Sequence, residues 1–212
     1  MYKKLQYISQ GDTIQKQLDN IHQALDAGCN WIQMRFKNQN GKDTFTLAEA
    51  VKLLCEKYAS TFIINDDIHL AREIDADGVH LGLTDTKIDE ARFFLGNSKI
   101  IGGTANTFED IQNHVISSCD YIGLGPFRFT NTKQKLSPIL GPAGYHEILQ
   151  KLKINAINVP IYAIGGITLR DVSPLMETGI FGIAVSGIIT ESFEKQKLIQ
   201  QLNEKLYADI IV

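Results

Sequence analysis

Hydrophobic and polar positions follow two rhythms along this chain. Short apolar runs recur about every 25 residues, and the stretches between them carry apolar residues at helical spacing. The runs predict strands at 5–8, 31–35, 62–64, 78–81, 100–102, 121–124, 161–164 and 182–185, with helical patterns such as 13–27, 47–58, 109–115 and 191–206 between them. Strands alternating with helices imply βαβ units, parallel pairing and right-handed crossovers. Eight such units close into an α/β fold, a (β/α)8 TIM barrel, with residues 1–212 as a single domain. An open doubly wound sheet is the other arrangement of these elements, but no G-x-G-x-x-G follows the first strand.

Composition narrows this further. The chain has 212 residues, 44% of them hydrophobic, enough to fill one large core without a Pro/Ser-rich linker or low-complexity segment. A net charge of −3 argues against nucleic-acid binding through the overall field, so local cations have local tasks. Cys29, Cys55 and Cys119 are far apart and lack metal-ligand spacing, which fits buried thiols in a reducing compartment. The first residues, MYKKLQYIS, include no long apolar region, and no stretch approaches the roughly 18 apolar residues of a membrane span. The expectation is a soluble cytoplasmic protein without a membrane partner. Its oligomeric state stays open, a homo-oligomer included.

In a parallel barrel the C-terminal strand ends form the working face. The second strand ends in QMRFK, where alternation sends Gln33, Arg35 and Lys37 to one side and Met34 and Phe36 to the other. With helices outside, the polar side faces the barrel mouth; the plainer alternative is that Arg35 and Lys37 merely reach bulk water. The third strand ends in Asn65-Asp66-Asp67, and the fourth in His80-Leu81-Gly82 with Asp85 beyond. Asp66 and Asp85 suit helix N-caps. They equally suit Mg²⁺, which takes one or two protein carboxylates and can bridge to a diphosphate beside Arg35 and Lys37. The fifth strand leads through Thr104 to Asn106, offering a hydroxyl and an amide to a ligand or to a helix cap.

The sixth run breaks at Gly125-Pro126 into a loop with Thr130, Asn131, Thr132 and Lys133. Two hydroxyls, backbone amides and an ammonium suit phosphoryl oxygens, although the same residues make ordinary solvated loops. The last two strands end in Gly165-Gly166 and Ser186-Gly187, where glycine admits a phosphate close to the backbone or simply permits a tight turn. His80 reads as a buried structural imidazole rather than a general base. His22, His69, His114 and His146 fall in helical patterns and read as surface residues.

The ordered set QMRFK at 33–37, NDD at 65–67, DGVHLGLTD at 77–85, GPFRFTNTK at 125–133 and AIGGI at 163–167 resembles the thiamine phosphate synthase family over nearly the whole chain. The resemblance implies a transferase that couples an aminopyrimidine diphosphate to a thiazole phosphate, giving thiamine phosphate and diphosphate through a carbocation-like displacement. It implies that Gln33, Arg35, Lys37, Asn65, Thr104 and Lys133 bind the pyrimidine diphosphate, with Arg35, Lys37 and Lys133 catalytic. Asp66 and Asp85 would hold Mg²⁺, and Thr130, Thr132, Gly166, Ser186 and Gly187 would hold the thiazole phosphate. The chain departs from the family pattern at Phe36, Leu83-Thr84 and Ser186-Gly187; Thr104 replaces a serine, and Asn106 stands where many relatives carry histidine. A thiazole tautomerase on the same barrel would call for that histidine and would dispense with NDD and TNTK. A non-catalytic thiazole-phosphate sensor would need none of Asp66, Asp85 or Lys133.

Overall fold

The computed structural model describes residues 2–37, 39–129 and 138–208. Eight strands, β1 (Leu5–Ile8), β2 (Trp31–Met34), β3 (Thr61–Asn65), β4 (Gly78–Leu81), β5 (Ile100–Ala105), β6 (Tyr121–Leu124), β7 (Ile161–Ile164) and β8 (Gly182–Val185), close into a barrel in sequence order. Every neighbouring pair is parallel, and β1 closes on β8 with Leu5 opposite Ile183. The eight strands and the (β/α)8 closure are those predicted from the sequence.

The strand boundaries differ most at β5, which runs on through Gly102 and Gly103 to Ala105. The glycines stay in the ladder opposite Tyr121 and Ile122. They are not a stop signal here, because Gly102 makes room for a ring: a Cβ on it would lie 2.2 Å from Tyr121 Cζ.

Helices cover the outside: α1 (Ile14–Asp26), α2 (Gly41–Lys57), α3 (Ile68–Glu73), α4 (Ile88–Leu95), α5 (Phe108–Ile116), α6 (Gly141–Ile154), α7 (Val172–Glu177), the short α8 (Gly187–Thr190) and α9 (Lys195–Tyr207). α1 shows the local logic. Thr13 caps it by accepting from the Lys16 amide, and Gln17, Ile21, Ala24 and Leu25 recur on the buried face. α2 starts earlier than its apolar periodicity suggests, because Asn40 caps it and accepts from the Asp43 amide. The predicted 191–206 helix begins instead at Lys195, after a break in which Phe193 is exposed.

Strand alternation divides the interior in two. Outward residues such as Leu5, Ile32, Met34, Phe62, Val79, Ile122 and Ile183 pack on the helices. Inward, Trp31, Ile63, Tyr121, Tyr162 and Ala184 form a separate cluster, with Trp31, Tyr121 and Tyr162 edge-on to one another at 5.1–5.4 Å. Burying each large side chain stabilises the fold by about 1.5–3 kcal/mol, and edge-to-face rings add about 0.5–1.5 kcal/mol per pair. Toward the C-terminal strand ends the inward face turns polar, at Gln33, His80 and Thr104, all buried.

Candidate active site

The inward polar residues meet where β2, β3 and β4 end. Gln33 is 2% exposed and donates from Nε2 to Asn65 Oδ1 at 2.9 Å, while its Oε1 has no partner among the described residues. Met34 and Phe36 pack outward, so the predicted alternation along β2 holds. Arg35 follows, half-buried; burial lowers its guanidinium below the ordinary arginine value and Asp66 opposes that shift, leaving a cation with little water around it.

Asp66 takes a left-handed backbone, φ +69°, and donates its amide to the His80 carbonyl at 2.8 Å. It does not cap the following helix: Asp67 does, accepting from the Leu70 amide. Asp85 does not cap α4 either, since Lys87 holds the N-cap position and Asp85 Oδ2 accepts from the Gly82 amide at 2.7 Å. The capping explanation therefore fails for both. Instead the two carboxyls lie against each other, and Lys37 Nζ reaches Asp66 Oδ2 at 2.5 Å. Burial raises the Asp85 carboxyl above the ordinary aspartate value; the Asp66 carboxyl adds to the rise, while the Gly82 amide and Lys37 work against it.

Thr104 is buried, with its Oγ1 3.0 Å from His80 Nε2, and His80 Nδ1 lies 3.1 Å from the Tyr121 hydroxyl. His80 is buried, as the sequence reading expects. Neither Thr104 nor Asn106 caps α5; Thr107 does so, in a capping box with Asp110. The Asn106 amide donates to the Gly125 carbonyl, and its backbone N–H to Asp110. His22, His69 and His146 are exposed as expected. His114 is not a plain surface residue: it is partly buried, and its Nε2 donates to the Thr104 carbonyl at 2.8 Å.

Across the rim, the start of the loop after β6 runs beside the end of β7, with the amides of Phe127 and Arg128 donating to the carbonyls of Ile164 and Gly165. Arg128 grips both carboxylate oxygens of Asp171 at 2.6 and 2.8 Å and also donates to the Gly166 carbonyl at 2.8 Å. Arg128 and the Thr168 hydroxyl and amide hold the Asp171 carboxyl down to about 2. Gly166 has φ +67°, and a Cβ there would lie 2.4 Å from Arg128 Cγ and 2.9 Å from the Phe129 carbonyl oxygen. Ser186 donates its hydroxyl to the Ile8 carbonyl at 2.5 Å, tying the end of β8 to β1, and Gly187 opens α8. Thr130, Thr132 and Lys133 lie outside the described residues.

The structure thus gathers Gln33, Arg35, Lys37, Asn65, Asp66 and Asp85 on one side of the mouth and links Thr104 to them through β4. Gly166, Ser186 and Gly187 occupy the opposite strand ends. Arg128, Asp171, Tyr121 and Gln6 carry much of the local bonding and were not singled out from the sequence. Only Asp171 had a legible signal, as the fourth residue of the capping pattern Thr168-Leu169-Arg170-Asp171.

Among the described residues no group of three or more His, Cys, Asp or Glu side chains is placed to hold a metal. The donor set that exists is two hard carboxylates in contact. That matches an ion which completes its shell with water and phosphate oxygens, as Mg²⁺ does. It does not match a caged structural metal.

The family model described as thiamine monophosphate synthase matches residues 5–189. A protein of Flavobacterium johnsoniae named thiamine-phosphate synthase is 76% identical over 212 residues, covering all of both chains. One of the same name from Flavobacterium psychrophilum is 61% identical over 97% of this chain and all of its own. Among solved structures, a thiamine phosphate pyrophosphorylase from Pyrococcus furiosus superposes with a TM-score of 0.82 at 26% identity, covering 96% of this chain and 95% of that one.

Proposed function

The chain belongs to the thiamine monophosphate synthase family, and from that premise we propose that its barrel mouth joins 4-amino-2-methyl-5-hydroxymethylpyrimidine diphosphate to thiazole phosphate. The products are thiamine phosphate and free diphosphate. We read residues 1–212 as one barrel domain working in the cytoplasm on small molecules. The observation that carries this reading is the charge arrangement at the ends of β2, β3 and β4: two touching carboxylates with one ammonium on them and a half-buried guanidinium alongside.

The bond between the pyrimidine's exocyclic CH₂ and the diphosphate oxygen breaks, and its electron pair leaves with the diphosphate. The CH₂ cation is stabilised by conjugation with the amino-substituted ring, and the thiazole nitrogen then donates its lone pair to form the C–N bond. No protein nucleophile takes part, so the chain's task is charge and geometry. Arg35 and Lys37 face the leaving diphosphate. Gln33 and Asn65 read the edges of the pyrimidine; the buried Gln33 Oε1 is an acceptor in need of a donor, which an exocyclic amino group supplies. Thr104 donates its hydroxyl to the same substrate.

Asp66 and Asp85 would hold Mg²⁺, which when bound offsets negative charge on the diphosphate. Gly166, Ser186 and Gly187 seat the thiazole phosphate at the ends of β7 and β8. The Ser186 hydroxyl is directed at Ile8, so its oxygen and the local backbone are what it offers. For Thr130, Thr132 and Lys133 the support is the sequence resemblance alone. Incubating the two purified substrates with the protein tests the reading: thiamine phosphate and diphosphate should form in equal amounts with Mg²⁺ present, and absence of product would refute it.

A further inference from the structure

We propose that Gln6, Tyr121 and His80 form a one-way hydrogen-bond chain inside the barrel that turns Thr104 into a hydroxyl donor at the mouth, making His80 and Tyr121 positioning residues for the diphosphate substrate. The inference rests on the reading of Thr104 given above.

The geometry is continuous. Gln6 Nε2 donates to the Tyr121 hydroxyl oxygen at 3.1 Å, that hydroxyl lies 3.1 Å from His80 Nδ1, and His80 Nε2 lies 3.0 Å from Thr104 Oγ1. Donor and acceptor accounting gives it a direction. Tyr121 accepts from Gln6 and has a single hydrogen of its own to pass on, to His80 Nδ1. A neutral imidazole that accepts at Nδ1 carries its hydrogen on Nε2, so it donates to Thr104 Oγ1. The Thr104 hydrogen is then left over for a substrate oxygen.

Gln6 sets the direction. Gln6 occupies an inward position of β1, and its Oε1 has no partner among the described residues. In the structure the Gln6 amide turns its NH₂ to the Tyr121 hydroxyl oxygen, and that placement leaves the Tyr121 hydrogen for His80.

The barrel is also built around the chain. Gly102 makes room for the Tyr121 ring, and a Cβ on Gly123 would lie 3.2 Å from His80 Cε1, so glycine occupies the inward positions where both rings need space. From outside, His114 holds the Thr104 carbonyl. Gln6 and Tyr121 are almost fully buried, and a buried polar chain persists only when its members satisfy one another. A structural role would explain the burial; it would not require an unbroken path ending at the mouth.

The test is the tautomer of His80, read by nitrogen NMR on the full chain labelled with ¹⁵N-histidine near pH 8, where an ordinary imidazole is neutral. His80→Gln assigns the signal among the five histidines. The proposal expects a hydrogen on Nε2 and none on Nδ1; a hydrogen on Nδ1, or on both nitrogens, overturns it. This readout does not depend on turnover, so it separates failure of the chain from failure of the proposed activity. Titration with inorganic diphosphate and Mg²⁺ then tests the purpose. Tyr121→Phe and Thr104→Val should each weaken binding about tenfold, and Thr104→Ser should restore it, since each of the first two removes or misdirects one hydrogen bond to a charged oxygen. Unchanged diphosphate binding in folded Tyr121→Phe and Thr104→Val overturns the proposal even if the tautomer is as expected.

Discussion

Lys37 Nζ sits 2.5 Å from Asp66 Oδ2, joining the segment that follows β2 to the residue directly after β3, which takes φ +69°. The pair is partly exposed, so its contribution to stability is small, about 0–1 kcal/mol. Its value lies in placing an ammonium over a carboxylate that itself touches Asp85. Lys37→Ala should therefore leave thermal stability nearly unchanged and lower kcat about 100-fold, the scale of losing one preorganised charge-stabilising group. A melting curve and a turnover assay on the same sample check both halves.

On the far side of the rim, Arg128 binds Asp171 through two hydrogen bonds. Asp171→Asn should cost about 1–2 kcal/mol of stability, below the middle of the range for hydrogen bonds to charged groups because Arg128 is partly exposed. The effect should depend on pH with a definite sign. The folded carboxyl is held at about 2, below the roughly 3.9 of an unfolded aspartate, so its contribution is complete above about pH 4 and is lost as pH falls through 2. Stability curves of wild type and Asp171→Asn should be separated at pH 6 and converge near pH 2.

Gly166→Ala places a Cβ 2.4 Å from Arg128 Cγ and forces a non-glycine residue into φ +67°. The nearer atom belongs to a flexible arginine, but the Phe129 carbonyl oxygen at 2.9 Å is backbone. We expect binding of thiazole phosphate to weaken about tenfold, from roughly 1 kcal/mol of strain together with the displaced loop. Binding of the pyrimidine diphosphate should change little. Separate titrations with each substrate decide this, and equal losses for both would mean that one site has been drawn as two.

A trifluoromethyl group in place of the pyrimidine methyl withdraws electrons while adding little bulk. If the diphosphate departs before the thiazole arrives, kcat with this analogue should fall steeply while its binding to Gln33 and Asn65 stays close to normal. Single-turnover rates beside equilibrium binding separate the two. An analogue that turns over as fast as the natural substrate would redirect attention to a nucleophile or base.

The barrel was legible in the sequence because its signal is periodic: eight apolar runs at nearly even spacing leave few other topologies. The inward set Gln33, Arg35 and Lys37 was legible for the same reason, since alternation along β2 assigns each side chain a face. What alternation could not supply was contact across the barrel. That Asp67 rather than Asp66 caps α3 depends on one left-handed residue, and no composition rule distinguishes neighbouring aspartates. Nor does any local pattern announce that Tyr121 meets Gln6, 115 positions away. Arg128 stands within a motif whose phosphate signal comes from its hydroxyls and lysine, and its partner Asp171 lies two elements downstream.

The central claim is that Asp66 and Asp85 act as one divalent-ion seat serving diphosphate departure. Thiamine phosphate formation, followed with Mg²⁺ present and with Mg²⁺ chelated, in wild type and in a double variant carrying Asp66→Asn and Asp85→Asn, tests it most directly. The account predicts rapid synthesis by wild type only with Mg²⁺. It predicts a folded double variant whose rate stays at the chelated wild-type level whether or not Mg²⁺ is added. Wild-type rates from the double variant, or full activity of wild type without the ion, would contradict it.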